Sequence, residues 1–365
     1  MKNLQEIARY EGGISSIPGK KNVIKLSSNE SPFGPSKSVI RALSSTLAKT
    51  NRYPDGNCLE LRKAISKKFK INTDNIFCGN GSDEILGLVC QLFLNKGDEV
   101  IIPEHSFLMF EIYARINNGK VQFASTKNLK FQVDAILNKI NQKTKIIFIA
   151  QPNNPTGLYL SKKDLNLLVS KVPKKIKIVI DTAYAEYMTD YDYSNGIDLA
   201  KKNKNLIVTR TFSKIYGLAS LRLGWCYAHK DIIKLMDKIR GPFNVNHSAQ
   251  IAGIAAINDK AYEQKMIKHN KFWLNKMHGE LRKLPVEPVN SRANFILIKV
   301  GKNANKLIKY LMTNSIIVRK MTKYKLDQYI RVSVGKAEEN KKFIEAIRKF
   351  YLSLIHISEP TRRKH

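Results

Sequence analysis

The stretch TFSKIYGLASLRLGW, residues 211–225, sets one lysine, Lys214, directly after the hydroxyl of Ser213 and ahead of an arginine, Arg222, inside a glycine-punctuated apolar run. A lysine drawn into apolar surroundings is costly, because desolvation penalises the ammonium and lowers its pKa. Chemistry that uses such an amine is a Schiff base with a carbonyl compound, with an anion holder nearby. Taken alone, the segment reads equally as a surface lysine beside a strand. The flanking sequence has to separate the two.

Upstream, apolar strands alternate with amphipathic helices. Strands are expected at 76–78, 99–103, 121–124, 145–150, 177–180 and 206–210, and helices at 36–48, 59–69, 107–117, 133–140 and 162–172. Continuous apolar strands such as IIFIA (146–150) and IVI (178–180) are what a parallel sheet covered on both faces requires, so the fold class is α/β, a mostly parallel sheet flanked by helices. In such sheets ligands sit beyond the carboxyl ends of the strands. There the chain places QPNNPTG (151–157), DTAYAEY (181–187) and TFSK (211–214), bringing Asn154, Asp181 with Tyr184, and Lys214 to one side. The turn GNGSDE (79–84) between strand and helix leaves the N–H groups of Gly81, Ser82 and Asp83 as a phosphate cradle, although GxG turns also serve as plain connectors.

Downstream, helices are expected at 231–239, 247–257 and 261–284. A smaller α+β unit follows, with strands at 293–299, 316–318 and 329–334 and helices at 303–313 and 338–351. The expected division is an N-terminal arm over 1–35, lying with the small domain, a large domain over 36–286 and a small C-terminal domain over 287–352. Residues 353–365, SLIHISEPTRRKH, continue no pattern and read as an appended tail.

The charge is unusual, with 63 basic against 30 acidic residues and a net +33. The lysines are spread through nearly every segment and match no zinc-finger, homeodomain or RNP pattern, so a solvated surface that steers small anions is expected and a nucleic-acid partner is not. Cys58, Cys78, Cys90 and Cys226 lie far apart with no CxxC pair, which suggests neither a metal site nor a disulfide framework and fits a reducing compartment. No apolar run approaches the roughly 18 residues of a membrane span, and a cytoplasmic enzyme without a membrane partner is expected.

As a set, these residues meet the needs of pyridoxal phosphate. Lys214 serves the aldehyde, Asp181 the ring nitrogen, Tyr184 and Asn154 the ring oxygen, and Ser213, Arg222 and the 81–83 N–H groups the phosphate. Each has a plainer reading: Asn154 as a turn residue, Asp181 as a helix cap, Arg222 as a surface cation. The motifs GNGSDE, QPNNPTG, DTAYAEY and TFSKIYGLASLRLGW, in this order, resemble those of the fold-type-I pyridoxal-phosphate aminotransferases. LSSNESPFGPS, NRYPDG, RGPFNVN and IRVSVGKAEEN are similar to the histidinol-phosphate aminotransferase branch.

The resemblance implies that Lys214 is the Schiff-base lysine and proton shuttle and that Asp181 pairs with the pyridinium nitrogen. It further implies that Tyr53 reaches the cofactor phosphate of a second subunit in a homodimer. Where many relatives carry a ring-stacking tyrosine this chain has His105, which can stack or merely cap the following helix. Arg331 is the match for the holder of the substrate's anionic end, Arg319 is a second cation, and Asn29 belongs to the expected substrate site, while Tyr10 of the arm can add a hydroxyl there or simply pack the arm. The activity implied is transfer of an amino group from L-histidinol phosphate to 2-oxoglutarate, in histidine biosynthesis. An aromatic amino-acid aminotransferase, a phosphothreonine-type decarboxylase on the same scaffold and a nucleic-acid-binding protein are the alternatives.

Overall fold

Alternation along Ile146–Ala150 contains the layered architecture. Ile147 and Ile149 enter one apolar cluster, with Leu165, Leu168 and Phe212, while Ile146, Phe148 and Ala150 enter another, with Leu86, Val89 and Phe110. Side chains on a strand alternate between faces, so this strand is buried on both. Phe148 stacks on Phe110 with ring centroids 4.7 Å apart, and truncating either ring costs about 3–5 kcal/mol.

The computed structural model describes Ile7 and residues 12–358. In chain order its strands are β1 (Ile24–Leu26), β2 (Ile76–Asn80), β3 (Glu99–Pro103), β4 (Lys120–Ala124), the short hairpin β5 and β6 (Thr126–Lys127 and Lys130–Phe131), β7 (Thr144–Ala150), β8 (Lys177–Asp181), β9 (Leu206–Thr211), β10 (Leu223–Ala228), β11 (Glu287–Pro288), β12 (Phe295–Lys299), β13 (Ile316–Lys320) and β14 (Tyr329–Ser333). The larger sheet runs β2-β10-β9-β8-β7-β3-β4. All neighbours pair parallel except β10, which is antiparallel to both β2 and β9. Helices cover both faces, as the α/β reading requires.

Strand β10 was not foreseen. Residues 211–225 read as one run around Lys214, whereas the chain turns at Arg222 and returns as a fully buried strand. That return sets the start of helix Gly81–Phe93 against β10, and only glycine fits at 224, because a Cβ there would lie 2.3 Å from the Ser82 nitrogen.

The second sheet runs β1-β13-β14-β12-β11. Strand β1, from the expected arm, adds parallel to β13, with Ile24 opposite Ile316 and Leu26 opposite Val318. The long helix Lys260–Leu281 serves both cores. Met266 belongs to the cluster under the large sheet, and Trp273, Met277 and Leu281 belong to the one under the small sheet. The last helix, expected to end at 351, runs from Ala337 to Ser358, into the segment read as a tail.

Candidate active site

A cavity of about 330 Å³ opens between the carboxyl ends of β7, β8 and β9 and the second sheet. Asp181, Asn154 and Lys214, expected at successive strand ends, all line it, as do Ser82, Asp83, Ser213, Arg222 and Tyr184. The second sheet contributes Arg319 and Arg331, and the N-terminal segment contributes Gly12, Gly13 and Ser27 to Glu30.

Asp181 closes β8 and is buried, and its Oδ1 accepts a 2.7 Å hydrogen bond from the Thr209 hydroxyl of the adjacent strand. Burial raises its pKa to about 6, the Thr209 bond and Lys214 opposing and Asp83 adding to the rise. Lys214 keeps some solvent contact through the cavity, and its Nζ lies 3.5 Å from the Ser28 carbonyl oxygen. Desolvation brings its pKa down to about 8, with Arg331 and Arg222 acting in the same sense and Asp83 and Glu30 against. An amine with that pKa is partly deprotonated near neutral pH, as a nucleophile or proton carrier must be.

The helix Gly81–Phe93 starts at the cavity edge without a side-chain cap, unlike the helices entered at Ser36, Ser161 and Asn246. Arg222, in left-handed backbone (φ 52°), lies over this start. Its Nη2 donates to Asp83 Oδ2 at 2.9 Å, and its Nη1 donates to the Ala219 carbonyl at 3.0 Å and to Ser213 Oγ at 3.4 Å. Gly81 has φ +80°, and a Cβ there would stand 2.6 Å from Arg222 Nη2, so the arginine can occupy this place only over a glycine. Free first-turn N–H groups, a hydroxyl and a guanidinium together make an anion site. Asp83, expected to offer only its N–H, also supplies the carboxylate that holds Arg222.

On the opposite wall, Arg331 is buried, with its guanidinium 5.2 Å from the centre of the Phe295 ring. Its Nη2 donates to the Ser27 carbonyl at 3.0 Å and its Nη1 to Asn154 Oδ1, while its Nε has no hydrogen-bond partner among the described residues. Arg319 lies directly opposite Arg331 in the β13–β14 ladder. Both guanidinium groups border the cavity, where a fork of donors suits a carboxylate or a phosphate. Asn29, in left-handed backbone (φ 56°), donates from Nδ2 to the Tyr184 hydroxyl at 3.0 Å, and its own N–H donates to Ser333 Oγ at 2.8 Å. It thereby ties the N-terminal segment to both sheets.

Two expected residues, His105 and Tyr53, fall elsewhere. His105 does not line this cavity: its backbone is left-handed (φ 53°) and its Nδ1 lies 2.7 Å from the Tyr324 carbonyl oxygen, so its ring is engaged with the connection between β13 and β14. The aromatic that this segment sends to the cavity wall is Phe107, two residues on. Tyr53 stands on the surface, 82% exposed, stacked on Phe243 at 4.5 Å. Tyr10 lies outside the described residues. Ser28, Glu30, Thr209 and Tyr324 went unnoticed in the sequence, and only Thr209 carried a signal there, since it shares a strand face with Thr211.

Residues 21–347 match the family model described as aminotransferase class I and II, and the chain belongs to that family. Within it, the chain falls in the histidinol-phosphate aminotransferase branch. It is 44% identical over 350 residues to the histidinol-phosphate aminotransferase of Pelagibacter ubique (strain HTCC1062), covering 95% of this chain and 97% of that one. It is 40% identical over 351 residues to that of Paramagnetospirillum magneticum (strain ATCC 700264 / AMB-1), with the same coverage. Its fold is that of the histidinol-phosphate aminotransferase from Sinorhizobium meliloti solved in complex with pyridoxal-5'-phosphate, with TM-score 0.85, 24% identity and 92% of each chain covered. The residues present fit that cofactor: an uncapped helix start beside an arginine for the phosphate, a carboxylate at a strand end for the ring nitrogen, and an amine of lowered pKa for the aldehyde.

Proposed function

We propose that this chain transfers the amino group of L-histidinol phosphate to 2-oxoglutarate, giving imidazole-acetol phosphate and L-glutamate in histidine biosynthesis, with pyridoxal 5'-phosphate as cofactor. The observation that carries this reading is a cavity with two separate anion sites, at Arg222 and at Arg331 with Arg319, in a chain 44% identical to a histidinol-phosphate aminotransferase. One site serves the cofactor phosphate. The other takes the phosphate of the donor in one half-reaction and a carboxylate of the acceptor in the next, since a guanidinium fork suits both.

When bound, pyridoxal phosphate supplies an aldehyde for the amine and an electron-withdrawing protonated ring. Asp181 would hold the proton on the ring nitrogen, and Lys214 Nζ would take the proton from the substrate α-carbon. Tyr184, held by Asn29, and Asn154, held by Arg331, would supply hydrogen bonds to the ring oxygen. Ser213, Arg222 and the N–H groups at 81–83 would hold the phosphate, and Phe107, at the cavity wall where His105 is not, would lie against the ring.

The working unit on this reading is a homodimer, in which Tyr53 reaches the second subunit's site. Tyr53 and Phe243 stack in the open with Leu47 and Leu59 exposed nearby in sequence, an apolar group suited to burial against a second copy. The four free, buried thiols suit the cytoplasm, and no helix among the described residues is long and apolar enough to cross a membrane.

Side-by-side kinetics test the substrate. We expect kcat/KM for histidinol phosphate to exceed that for phenylalanine by about 100-fold or more, because phenylalanine brings no phosphate to the arginine pair. A preference for phenylalanine makes the chain an aromatic amino-acid aminotransferase. Carbon dioxide release from a phosphorylated amino acid makes it a decarboxylase.

A further inference from the structure

We propose that Thr209 is a positioning residue for the cofactor's ring nitrogen: its hydroxyl occupies Asp181 Oδ1, which fixes the carboxylate's rotation and turns the other oxygen to the ring. The inference rests on the pyridoxal-phosphate reading of the cavity. Asp181 and Thr209 are register partners in the parallel β8–β9 ladder, so their Cα atoms are neighbours by construction. The Thr209 peptide is clamped as well, because its carbonyl accepts from both the N–H of Thr182 at 2.9 Å and the Thr182 hydroxyl at 2.7 Å. Thr209 is fully buried, so its hydroxyl proton has no water to turn to and points to the carboxylate at 2.7 Å.

Strand alternation makes the assignment specific. Thr209 and Thr211 share the face towards Lys214, where the Thr211 hydroxyl accepts from the Ser213 N–H at 3.1 Å. Arg210 between them faces the other way and pairs with Glu186 at 2.7 Å. The second carboxylate oxygen of Asp181 has no hydrogen-bond partner among the described residues, and Asp181 lines the cavity. A hydrogen bond to the ionised form also favours ionisation, which opposes the rise that burial imposes on Asp181. Thr209 therefore sets both the direction of the carboxylate and the pH at which it takes up a proton.

The test is the dissociation constant of pyridoxal phosphate on cofactor-stripped protein, followed by fluorescence from about pH 5.5 to 8.5, a window chosen around the ordinary range of a buried carboxylate. The other groups around Asp181, namely Asp83, Lys214, Tyr184 and Tyr193, are unchanged in every protein compared. For the unaltered protein, affinity falls as the pH drops through about 6, where Asp181 protonates. For Thr209→Val, which keeps the β-branched shape, the fall begins about one pH unit higher, so affinity is about twofold weaker at pH 7 and approaches about tenfold weaker near pH 5.5. Thr209→Ser restores the original profile. Superimposable profiles for the unaltered protein and Thr209→Val overturn the proposal, as does a loss of affinity equal at every pH, which marks a merely structural role. Should the valine variant fail to fold, Thr209→Ala is read by the same criteria. An unaltered protein that binds no pyridoxal phosphate defeats the cofactor reading, and the proposal with it.

Discussion

Arg222 and Arg331 face the same cavity and are held in opposite ways. Arg222 lies against a carboxylate, Asp83, at the start of a helix on the large sheet. Arg331 is held by two neutral oxygens, from Asn154 and Ser27, and among the described residues one of its N–H groups has no partner in a buried place. A cation already matched by an acid is comfortable whether or not an anion arrives, which suits a group that stays bound. A buried cation held only by neutral oxygens keeps its full charge and part of its desolvation cost until an anion enters. That suits substrates that come and go. On the proposed reading, the large sheet retains the cofactor and the small sheet exchanges the substrates.

Lys214 sits at the seam of the two walls, so its loss is expected to have the largest effect. Lys214→Ala should lower turnover by about 10³-fold or more, the scale of a positioned proton carrier together with a nucleophile. Cofactor phosphate contacts should survive in this variant. Single-turnover assays on loaded protein check this, and a variant that keeps near-normal turnover removes Lys214 from the centre of the scheme.

The division between walls is broken or sharpened by the two arginines. Arg331→Leu should cut kcat/KM by about 100-fold for donor and acceptor alike, because a buried charge-assisted pair is lost. Its dissociation constant for pyridoxal phosphate should stay within about threefold, the range left by indirect effects at a distance. Arg222→Gln should do the reverse, weakening cofactor binding about tenfold while leaving KM for histidinol phosphate nearly unchanged at saturating cofactor. Equal losses in both quantities for both variants would mean that the walls are not separate.

The two walls also differ in how far they could be read from the sequence. The retaining wall is local. Asp181 closes an apolar strand, and Lys214 and Asn154 follow theirs by three and four residues, so strand pattern alone places all three on one side of the sheet. The exchanging wall is assembled over long separations: Arg331 meets Ser27 and Asn154, and Asn29 meets Tyr184 and Ser333. No periodicity reports such meetings, and only family resemblance pointed to Arg331. Strand β10 escaped for another reason. Its burial depends on a reversal at Arg222, a non-glycine residue in left-handed backbone, where turn propensities give no warning. His105 was chosen for its ring, yet the same kind of backbone turns it to the Tyr324 carbonyl and leaves Phe107 at the cavity wall.

The smallest expected effect concerns stability, and its sign separates a functional lysine from a packed one. The folded pKa of Lys214, about 8, lies below the ordinary value of 10.5. Between those values the unfolded chain binds more protons than the native one, so Lys214 makes the native protein gain stability as pH rises through that window. Below about pH 8 the cost of desolvating the ammonium is expressed in full. Lys214→Met keeps the length and apolar bulk of the side chain and removes the charge. Cofactor-stripped Lys214→Met should therefore be more stable than the unaltered protein at pH 7, by about 1–3 kcal/mol, and the gain should fade towards pH 10.5. Denaturant midpoints at pH 7 and pH 10 measure it. A gain of the same size at both pH values would trace to packing rather than charge. A loss at pH 7 would mean that Lys214 is a structural cation, which the desolvation argument forbids.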